Sequence, residues 1–311
     1  MSGKMESRME DHRPSIDERR VMNFSLVVAV VLLGVKVTAA ILTGSAAIYS
    51  DAAESVTHVL AVGFAAWALR LSHKPSDDTH HFGHDKVAFF SAALEGAMIS
   101  AAGVLIFYEA ARQYRLGSPV EALDLGLWLT SAAAVVNTVL GLALLRVGRR
   151  RRSGLLEANG EHVLADVWTS VGVVLALLLV RWTGDGWWDP LFAGIAGGKL
   201  LWTGVRLMKR SFGGLMDKAD LEVEASVRDL LDGECANRGF SYHNLRHRHS
   251  GRTHWVELHL VMPDGVGLRE AHEAATEIEA GIAALLEPEG RVITHLEPRS
   301  AEDREENWEA R

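Results

Sequence analysis

The sequence predicts a helical membrane protein with six transmembrane helices, followed by a small α+β domain in water. Stretches almost free of charge extend to about residue 210, whereas the rest of the 311-residue chain is densely charged. The single cysteine, Cys235, excludes a disulfide framework and any metal site built from several thiolates. The chain has 32 basic and 40 acidic residues, a net charge of −8, so nucleic acid is not expected as its main partner.

Six segments are long and apolar enough to cross a bilayer, because a hydrocarbon core of about 30 Å requires roughly 20 apolar residues in a helix. A polar stretch precedes the first segment, which is therefore not interpreted as a signal peptide. Residues 21–212 are predicted to form the transmembrane domain and residues 1–20 a cytoplasmic N-terminal segment. The predicted spans are Met22–Thr43, Ala46–Leu71, Val87–Ala111, Leu123–Leu145, His162–Trp182 and Trp188–Met208.

Lysine and arginine in the loops predict the orientation, because cytoplasmic loops carry an excess of positive charge. Basic residues lie before span one, between spans two and three, after span four and after span six, and Arg149–Arg152 is the densest run. The opposite loops carry Arg112, Arg115 and Arg181. We therefore expect a multi-pass protein of the cytoplasmic (inner) membrane with both termini in the cytoplasm.

The pattern changes after Asp217, and residues 213–298 are predicted to form a cytoplasmic domain. An amphipathic helix is followed by two alternating strands around a Ser250-Gly251 turn, a second helix and a last strand. This αββαβ order is typical of a ferredoxin-like unit. Residues 299–311 are dense in charge and are predicted to form a disordered acidic tail. The predicted elements are Leu221–Leu231, Ser241–His247, Thr253–Met262, Leu268–Leu285 and Arg291–Leu296.

Two predicted membrane helices carry ionisable side chains at a helical spacing. Glu54 and His58 in span two, and His162 and Asp166 in span five, are both i, i+4 pairs, so each pair projects from one helix face. Ionisable groups at membrane depth are costly and indicate a functional site. Together the two faces offer two carboxylates and two imidazoles, the number and type of ligands that a tetrahedral Zn²⁺ takes.

The charges of these four side chains favour the same interpretation. Two carboxylates and two neutral imidazoles sum to −2, which a divalent cation neutralises. The empty site would favour protonation instead, so metal binding would release protons. The alternative is that each pair is a hydrogen-bonded clamp between helices. Asp51, on nearly the same face as Glu54, is interpreted as a residue that orients His58, with a fifth ligand or a cap of the helix start as alternatives.

The loop between spans two and three reads PSDDTHHFGHDK and is unusually rich in metal-ligating side chains. Such density in a short cytoplasmic loop predicts a surface metal site, and Gly83 would let the backbone turn His84 back. A solvated polar turn is the alternative. The residues concerned are Asp77, Asp78, His80, His81 and His84.

The last domain carries a further set of histidines. His243, His259 and His295 fall on three separate predicted strands, His272 lies on a helix, and Glu297 shares a strand face with His295. We predict a metal site shared among these elements, and a metal bound there would stabilise the fold that binds it. The three histidines that flank the predicted hairpin are interpreted as exposed turn residues; they are His247, His249 and His254.

Taken together, these motifs resemble the cation diffusion facilitator family of divalent-metal/proton antiporters. The resemblance extends from about residue 20 to residue 298 and rests on TGSAAIYSDAAESVTH, PSDDTHHFGHDK, HVLADVWTSVG and the terminal ITHLEP. It implies a homodimer with six transmembrane helices per subunit that moves divalent metal out of the cytoplasm by alternating access, in exchange for protons.

The resemblance also implies roles for individual residues. It assigns the transport site to Glu54, His58, His162 and Asp166, and the loop site to Asp77, His80 and His84. Lys86 and Asp217 match positions of a salt bridge at the family's dimer interface. It assigns the cytoplasmic-domain site to His243, His259, His272, His295 and Glu297.

The chain departs from the family pattern at His58, where a carboxylate or an asparagine is more usual, and at Glu297, where aspartate is more usual. A nitrogen ligand disfavours Mn²⁺ and Mg²⁺ and leaves Zn²⁺, Fe²⁺, Co²⁺ and Ni²⁺ as candidates. We therefore expect a zinc exporter, with ferrous iron, cobalt, nickel or cadmium as alternatives. A metal-sensing receptor and a metal-dependent intramembrane hydrolase are the competing hypotheses, although four protein ligands would leave no open position for catalysis.

Overall fold

The computed structural model describes residues 16–117, 120–151, 154–286 and 288–300, so most of the predicted N-terminal segment and of the acidic tail lies outside the described residues. Six long helices come first, and the order helix, strand, strand, helix, strand follows. The elements are α1 Ile16–Thr43, α2 Ala46–Ser72, α3 Val87–Leu116, α4 Leu123–Arg151, α5 Gly154–Thr183, α6 Trp188–Leu215, α7 Leu221–Arg238, β1 Ser241–His249, β2 Thr253–Met262, α8 Leu268–Leu285 and β3 Glu289–Pro298.

The predicted fold class is confirmed, with one helix less apolar than expected. Helices α1 to α5 each contain a segment long and apolar enough to cross a membrane. Helix α6 forms where the sixth span was predicted, but it does not reach the same hydropathy within the described residues because it contains Asp189, Lys199 and several glycines. Such a helix can cross a bilayer only if its polar side chains find partners.

The first compact unit consists of described residues up to 61 and residues 97–205. Helices α4 and α5 approach closely because glycines face each other at their contact: a Cβ atom at Gly141 would lie 2.7 Å from Leu164 Cγ, and one at Gly160 would lie 2.9 Å from Leu145 N. Small residues allow helices in a membrane to approach in this way. Helix α5 is thereby placed by backbone contact with α4.

A buried carboxylate caps the start of α2. Asp189, which is fully buried in α6, accepts hydrogen bonds from Ser45 Oγ at 2.6 Å and from the backbone amides of Ala46 at 2.7 Å and Ala47 at 3.3 Å. The first amides of a helix have no partner within the helix, and an anion there also complements the helix dipole. Asp189 therefore ties α6 to the helix that carries Glu54 and His58.

The second compact unit consists of residues 62–96 and the described residues from 206 onward. Its sheet has the order β1-β2-β3, with β1 and β2 antiparallel and β2 and β3 parallel. Helices α7 and α8 pack on the sheet face that carries Val256, Leu258 and Leu260, all buried at 1% exposure or less. The predicted αββαβ order is confirmed, and α7, β1 and β3 extend beyond the predicted bounds.

A β-bulge in β1 changes which face its side chains occupy. His243 is paired with His259, but Arg246 is paired with Glu257, so the register shifts by one residue between them. Asn244, inside the bulge, has a φ of 52°, a left-handed conformation that asparagine tolerates better than most residues. His243 therefore lies on the face of His259, whereas His247, opposite Val256, lies on the helix-covered face.

Candidate metal centres

The four membrane residues predicted as metal ligands lie close together on α2 and α5. The rings of His58 and His162 are stacked, with centroids 3.8 Å apart and planes inclined by 25°. On α5, His162 Nε2 is 3.7 Å from Asp166 Oδ2. The two predicted i, i+4 pairs are thus neighbours across a helix–helix contact.

These four side chains do not point their ligand atoms at one point. Glu54 turns toward α6, where its Oε1 lies 3.7 Å from Lys199 Nζ. Stacked imidazoles present their faces to each other, whereas an ion needs their nitrogens. Among the described residues, the groups of three or more potential ligands whose ligand atoms lie within 4.8 Å of one another are found elsewhere in the chain.

The sequence predicted that Asp51 orients His58, but the hydrogen bonds of its side chain are with Lys36 and Ser170. Its Oδ1 accepts hydrogen bonds from Lys36 Nζ at 2.9 Å and from Ser170 Oγ at 3.1 Å, and Lys36 Nζ also donates to Ser55 Oγ at 3.1 Å. The Lys36 and Asp51 side chains are only 4% and 2% exposed. Asp51 therefore joins α1, α2 and α5 through a buried ion pair, which the sequence did not indicate.

The loop cluster brings together the three side chains assigned by the family resemblance. Asp77 Oδ1 is 3.2 Å from His80 Nδ1, Asp77 Oδ2 is 3.7 Å from His84 Nε2, and the two imidazole centroids are 4.4 Å apart. His84 is buried, and its Nδ1 has no hydrogen-bond partner. Hydrogen bonds from Lys74 and Thr79 hold the pKa of the Asp77 carboxyl well below its usual range, so the carboxylate is charged near neutral pH.

The cytoplasmic-domain cluster is formed across all three strands. Glu297 on β3 is 5% exposed; its Oε1 is 2.7 Å from His259 Nδ1 and its Oε2 is 3.0 Å from His243 Nε2. His295 Nε2 is 3.5 Å from Glu297 Oε1. Burial raises the pKa of Glu297, but the hydrogen bond from His243 and the neighbouring imidazoles lower it by more, so its net pKa lies below the usual value.

His272 differs from the other histidines assigned to this site. It lies on α8 with an exposed side chain, and α8 packs on the opposite face of the sheet from Glu297. The described group of close ligand atoms contains His243, His259 and Glu297. A role for His272 at this site stays a prediction.

The interpretation of the hairpin histidines as exposed turn residues is wrong. They lie on the paired strands β1 and β2, His247 is only 7% exposed, and His249 and His254 are partly buried. Burial lowers the pKa of His247, and the neighbouring His254 and His249 lower it further. The error arose because the bulge, which no local pattern indicated, turns His247 toward the covered face.

Lys86 and Asp217, assigned by the resemblance to a dimer interface, contact each other within one chain. Lys86 Nζ lies 2.8 Å from Asp217 Oδ1, and both side chains are more than one third exposed, at 41% and 36%. Nearby, Thr253 Oγ1 donates to Asp85 Oδ2 at 3.0 Å. An exposed ion pair contributes little to stability, and this one joins the loop before α3 to the segment after α6 within the second compact unit.

Two family descriptions match this chain and together span almost all of the described residues. The cation efflux transmembrane domain matches residues 22–216, and the cytoplasmic domain of cation efflux proteins matches residues 220–299. Helix α6 falls inside the first match, which places it in the transmembrane domain despite its lower hydropathy.

Whole-length relatives agree with these matches. The uncharacterized transporter sll1263 of Synechocystis sp. is 36% identical over 276 residues, which cover 88% of each chain. The cation-efflux pump FieF of Cronobacter sakazakii is 32% identical over 276 residues, covering 88% of this chain and 90% of the pump. FieF of Shewanella oneidensis is 28% identical over 280 residues, which cover 89% of this chain and 93% of that pump.

Proposed function

The chain belongs to the cation efflux family, and from this premise we propose that it is a homodimer that exports Zn²⁺ from the cytoplasm in exchange for protons. Its membership makes it a multi-pass membrane transporter of divalent cations with a cytoplasmic C-terminal domain. It is a transporter and not an enzyme, which excludes the hydrolase hypothesis.

The observation that carries the proposal is the contact between two ligand pairs on adjacent membrane helices. His58 on α2 stacks on His162 of α5 at 3.8 Å, one helical turn from Glu54 and Asp166. Small rotations of the two rings would turn their nitrogens toward a shared ion. Two nitrogens and two carboxylate oxygens suit tetrahedral Zn²⁺ better than the hard ions Mg²⁺ or Mn²⁺.

The ion pair of Glu54 with Lys199 suggests how one of the two carboxylates of the site is balanced when no metal is bound. A carboxylate at membrane depth needs a countercharge, which Lys199 supplies from α6 at 3.7 Å. An arriving divalent ion would displace the ammonium group and attract Glu54 instead. Protons that bind the carboxylates and imidazoles would compete with the metal, so a proton gradient would assist its release.

The two cytoplasmic clusters are proposed to hold resident metal. His243, His259 and Glu297 supply a His₂Glu donor set whose ligand atoms already lie within 4.8 Å of one another, and Asp77, His80 and His84 do the same in the loop. In the loop, the buried His84 turns its Nε2 toward Asp77 Oδ2, at 3.7 Å. A bound ion would neutralise Glu297 and stabilise the cytoplasmic domain, which we propose forms part of the dimer interface.

Flux in proteoliposomes tests the proposal. The purified protein is reconstituted with a metal-sensitive fluorophore and a pH gradient, and Zn²⁺, Fe²⁺, Co²⁺, Ni²⁺ and Cd²⁺ are compared. We expect Zn²⁺ flux that collapses when the gradient is dissipated. Faster transport of Fe²⁺ than of Zn²⁺ would favour the ferrous alternative, and absence of flux for every ion would favour the sensing receptor.

Asp166→Ala tests the site itself. The substitution removes one of the two negative charges that offset the ion, so we expect Zn²⁺ flux to fall to the level of empty liposomes while the dimer remains intact by size-exclusion chromatography. Glu161→Ala, which removes an exposed carboxylate from the same helix, is the control and should transport normally. Undiminished flux in Asp166→Ala contradicts the assignment.

A further inference from the structure

Three histidines of the β1–β2 hairpin lie on one face of the sheet. His247 and His249 are two residues apart on β1, and His249 is paired directly with His254 on β2. Side chains two residues apart on a strand project to the same face, as do directly opposed residues of an antiparallel pair. The register therefore gathers three imidazoles at the end of the hairpin.

The contacts among these rings are close. His247 Nε2 and His254 Nδ1 are 3.1 Å apart. The planes of the two rings are inclined by only 5°, and their centroids are 5.4 Å apart. The ring of His249 is 5.8 Å from that of His254. Two nitrogens bound to one tetrahedral Zn²⁺ at 2.0–2.1 Å would be about 3.3 Å apart, so the first pair is already near that spacing.

His247 also has an unsatisfied buried nitrogen. The residue is 7% exposed, and its Nδ1 has no hydrogen-bond partner. Burying a polar atom without a partner is costly, and such an atom in a native protein requires an explanation. The nitrogen of this buried ring that faces a second imidazole is Nε2, 3.1 Å from His254 Nδ1, and these two nitrogens are the ones placed to share an ion.

This cluster is separate from the one formed by His243, His259 and Glu297. The bulge between His243 and Arg246 shifts the register by one residue, so His247 and His254 lie on the face of Val256 while His259 lies on the other. No side chain belongs to both sets. A metal held by one cluster would not satisfy the other.

We propose that His247, His249 and His254 form an additional metal site for a late first-row divalent ion, Zn²⁺, Co²⁺, Ni²⁺ or Cu²⁺. Imidazole suits these ions, and the absence of a carboxylate among the three ligands disfavours Mg²⁺ and Ca²⁺. The ion replaces the hydrogen bond between His247 and His254, and His249 joins by rotation about its side-chain bonds. Water completes the coordination.

Metal binding by the full-length protein in detergent tests this proposal without measuring flux. Metal-free protein is dialysed against Co²⁺, and bound cobalt per chain is measured by mass spectrometry together with the visible absorption of tetrahedral Co²⁺. We expect the triple variant His247→Gln, His249→Gln, His254→Gln to bind one Co²⁺ fewer per chain than the unmodified protein. An unchanged number overturns the proposal.

Two further variants make the result specific. His73→Gln removes an exposed imidazole at the end of α2 and should bind as much Co²⁺ as the unmodified protein. His249→Gln alone leaves the buried His247 in place, which protects the fold. In this variant the affinity for one of the bound Co²⁺ ions should fall at least tenfold. Unchanged affinity of every equivalent in this correctly folded single variant also overturns the proposal.

Discussion

Two clusters contain the same types of side chain, imidazole and carboxylate, but differ in how closely their potential ligand atoms converge: the four membrane residues Glu54, His58, His162 and Asp166, and the cytoplasmic-domain cluster of His243, His259 and Glu297. In the cytoplasmic domain, Glu297 lies 2.7 Å and 3.0 Å from two imidazole nitrogens. In the membrane, His58 and His162 meet face to face, and Glu54 is paired with Lys199. A resident ion benefits from a preformed site, whereas a transported ion must also be able to leave.

The difference has a structural origin. Sheet register places His243, His259 and His295 side by side on paired strands, so the backbone itself aligns the ligands around Glu297. The proposed membrane ligands are divided between two helices, α2 and α5, so side-chain rotation and helix movement decide whether their ligand atoms converge. This comparison leads to four predictions, which run from the largest expected effect to the smallest.

Of the four substitutions, Lys36→Met should have the largest effect, which is to destabilise the transmembrane domain. The substitution leaves Asp51 buried without its partner, and breaking a buried ion pair from one side costs about 3–5 kcal/mol. We expect a lower midpoint of thermal unfolding in detergent. The exposed Lys218→Met serves as control and should unfold like the unmodified protein. Equal midpoints for both variants would show that the membrane region does not depend on this pair.

Glu297→Gln should weaken Zn²⁺ binding at the cytoplasmic-domain cluster and leave the membrane residues unchanged. The cytoplasmic-domain cluster loses its only carboxylate, and we expect its Zn²⁺ affinity to fall about 10–100-fold, a loss comparable to that caused by removing a supporting group at a metal site. Calorimetric titration with Zn²⁺ measures this effect. Glu257→Gln, an exposed change on β2, should leave the affinity unchanged. Full affinity in Glu297→Gln would contradict the role of this carboxylate.

His58→Asp should change metal selectivity rather than abolish transport. Replacing a nitrogen ligand by an oxygen makes the membrane site harder, so the ratio of Cd²⁺ to Zn²⁺ flux should fall, by about tenfold if one ligand contributes about 1.4 kcal/mol to the discrimination. The ratio is measured in one proteoliposome preparation supplied with each ion in turn. His73→Asp is the control. The same ratio in both variants would count against His58 as a ligand.

Lys199→Met should have the smallest effect, and it should strengthen metal binding rather than weaken it. Without the ammonium group, Zn²⁺ no longer has to break the ion pair between Lys199 and Glu54 in order to bind Glu54. Zn²⁺ should therefore bind up to about fivefold more tightly, a gain that corresponds to the free energy of a partly exposed ion pair. Competition with a zinc-sensitive dye measures the affinity. Lys209→Met, an exposed change later in α6, should leave it unaltered. Weaker binding in Lys199→Met would indicate that this lysine supports the site.

Much of the architecture could be predicted because it follows from local patterns. Apolar stretches indicated all six long helices, and the spacing of four residues placed Glu54 with His58 and His162 with Asp166 on single helix faces. The alternating pattern identified the first two strands of the cytoplasmic domain, and the third strand was predicted after the second helix, where it is found. For the same reason, a metal site could be predicted in the loop from five candidate ligands within eight residues, although the choice of Asp77, His80 and His84 among them came from the family resemblance.

The sequence by itself therefore determined the helices and the order of helices and strands along the chain, since each depends on neighbours a few residues away. Only the tertiary structure decided that Glu54 is paired with Lys199, that Asp51 is paired with Lys36, and that a bulge separates His243 from His247. Partners on distant helices and a one-residue change of register leave no periodic signal, because they result from the packing of whole elements.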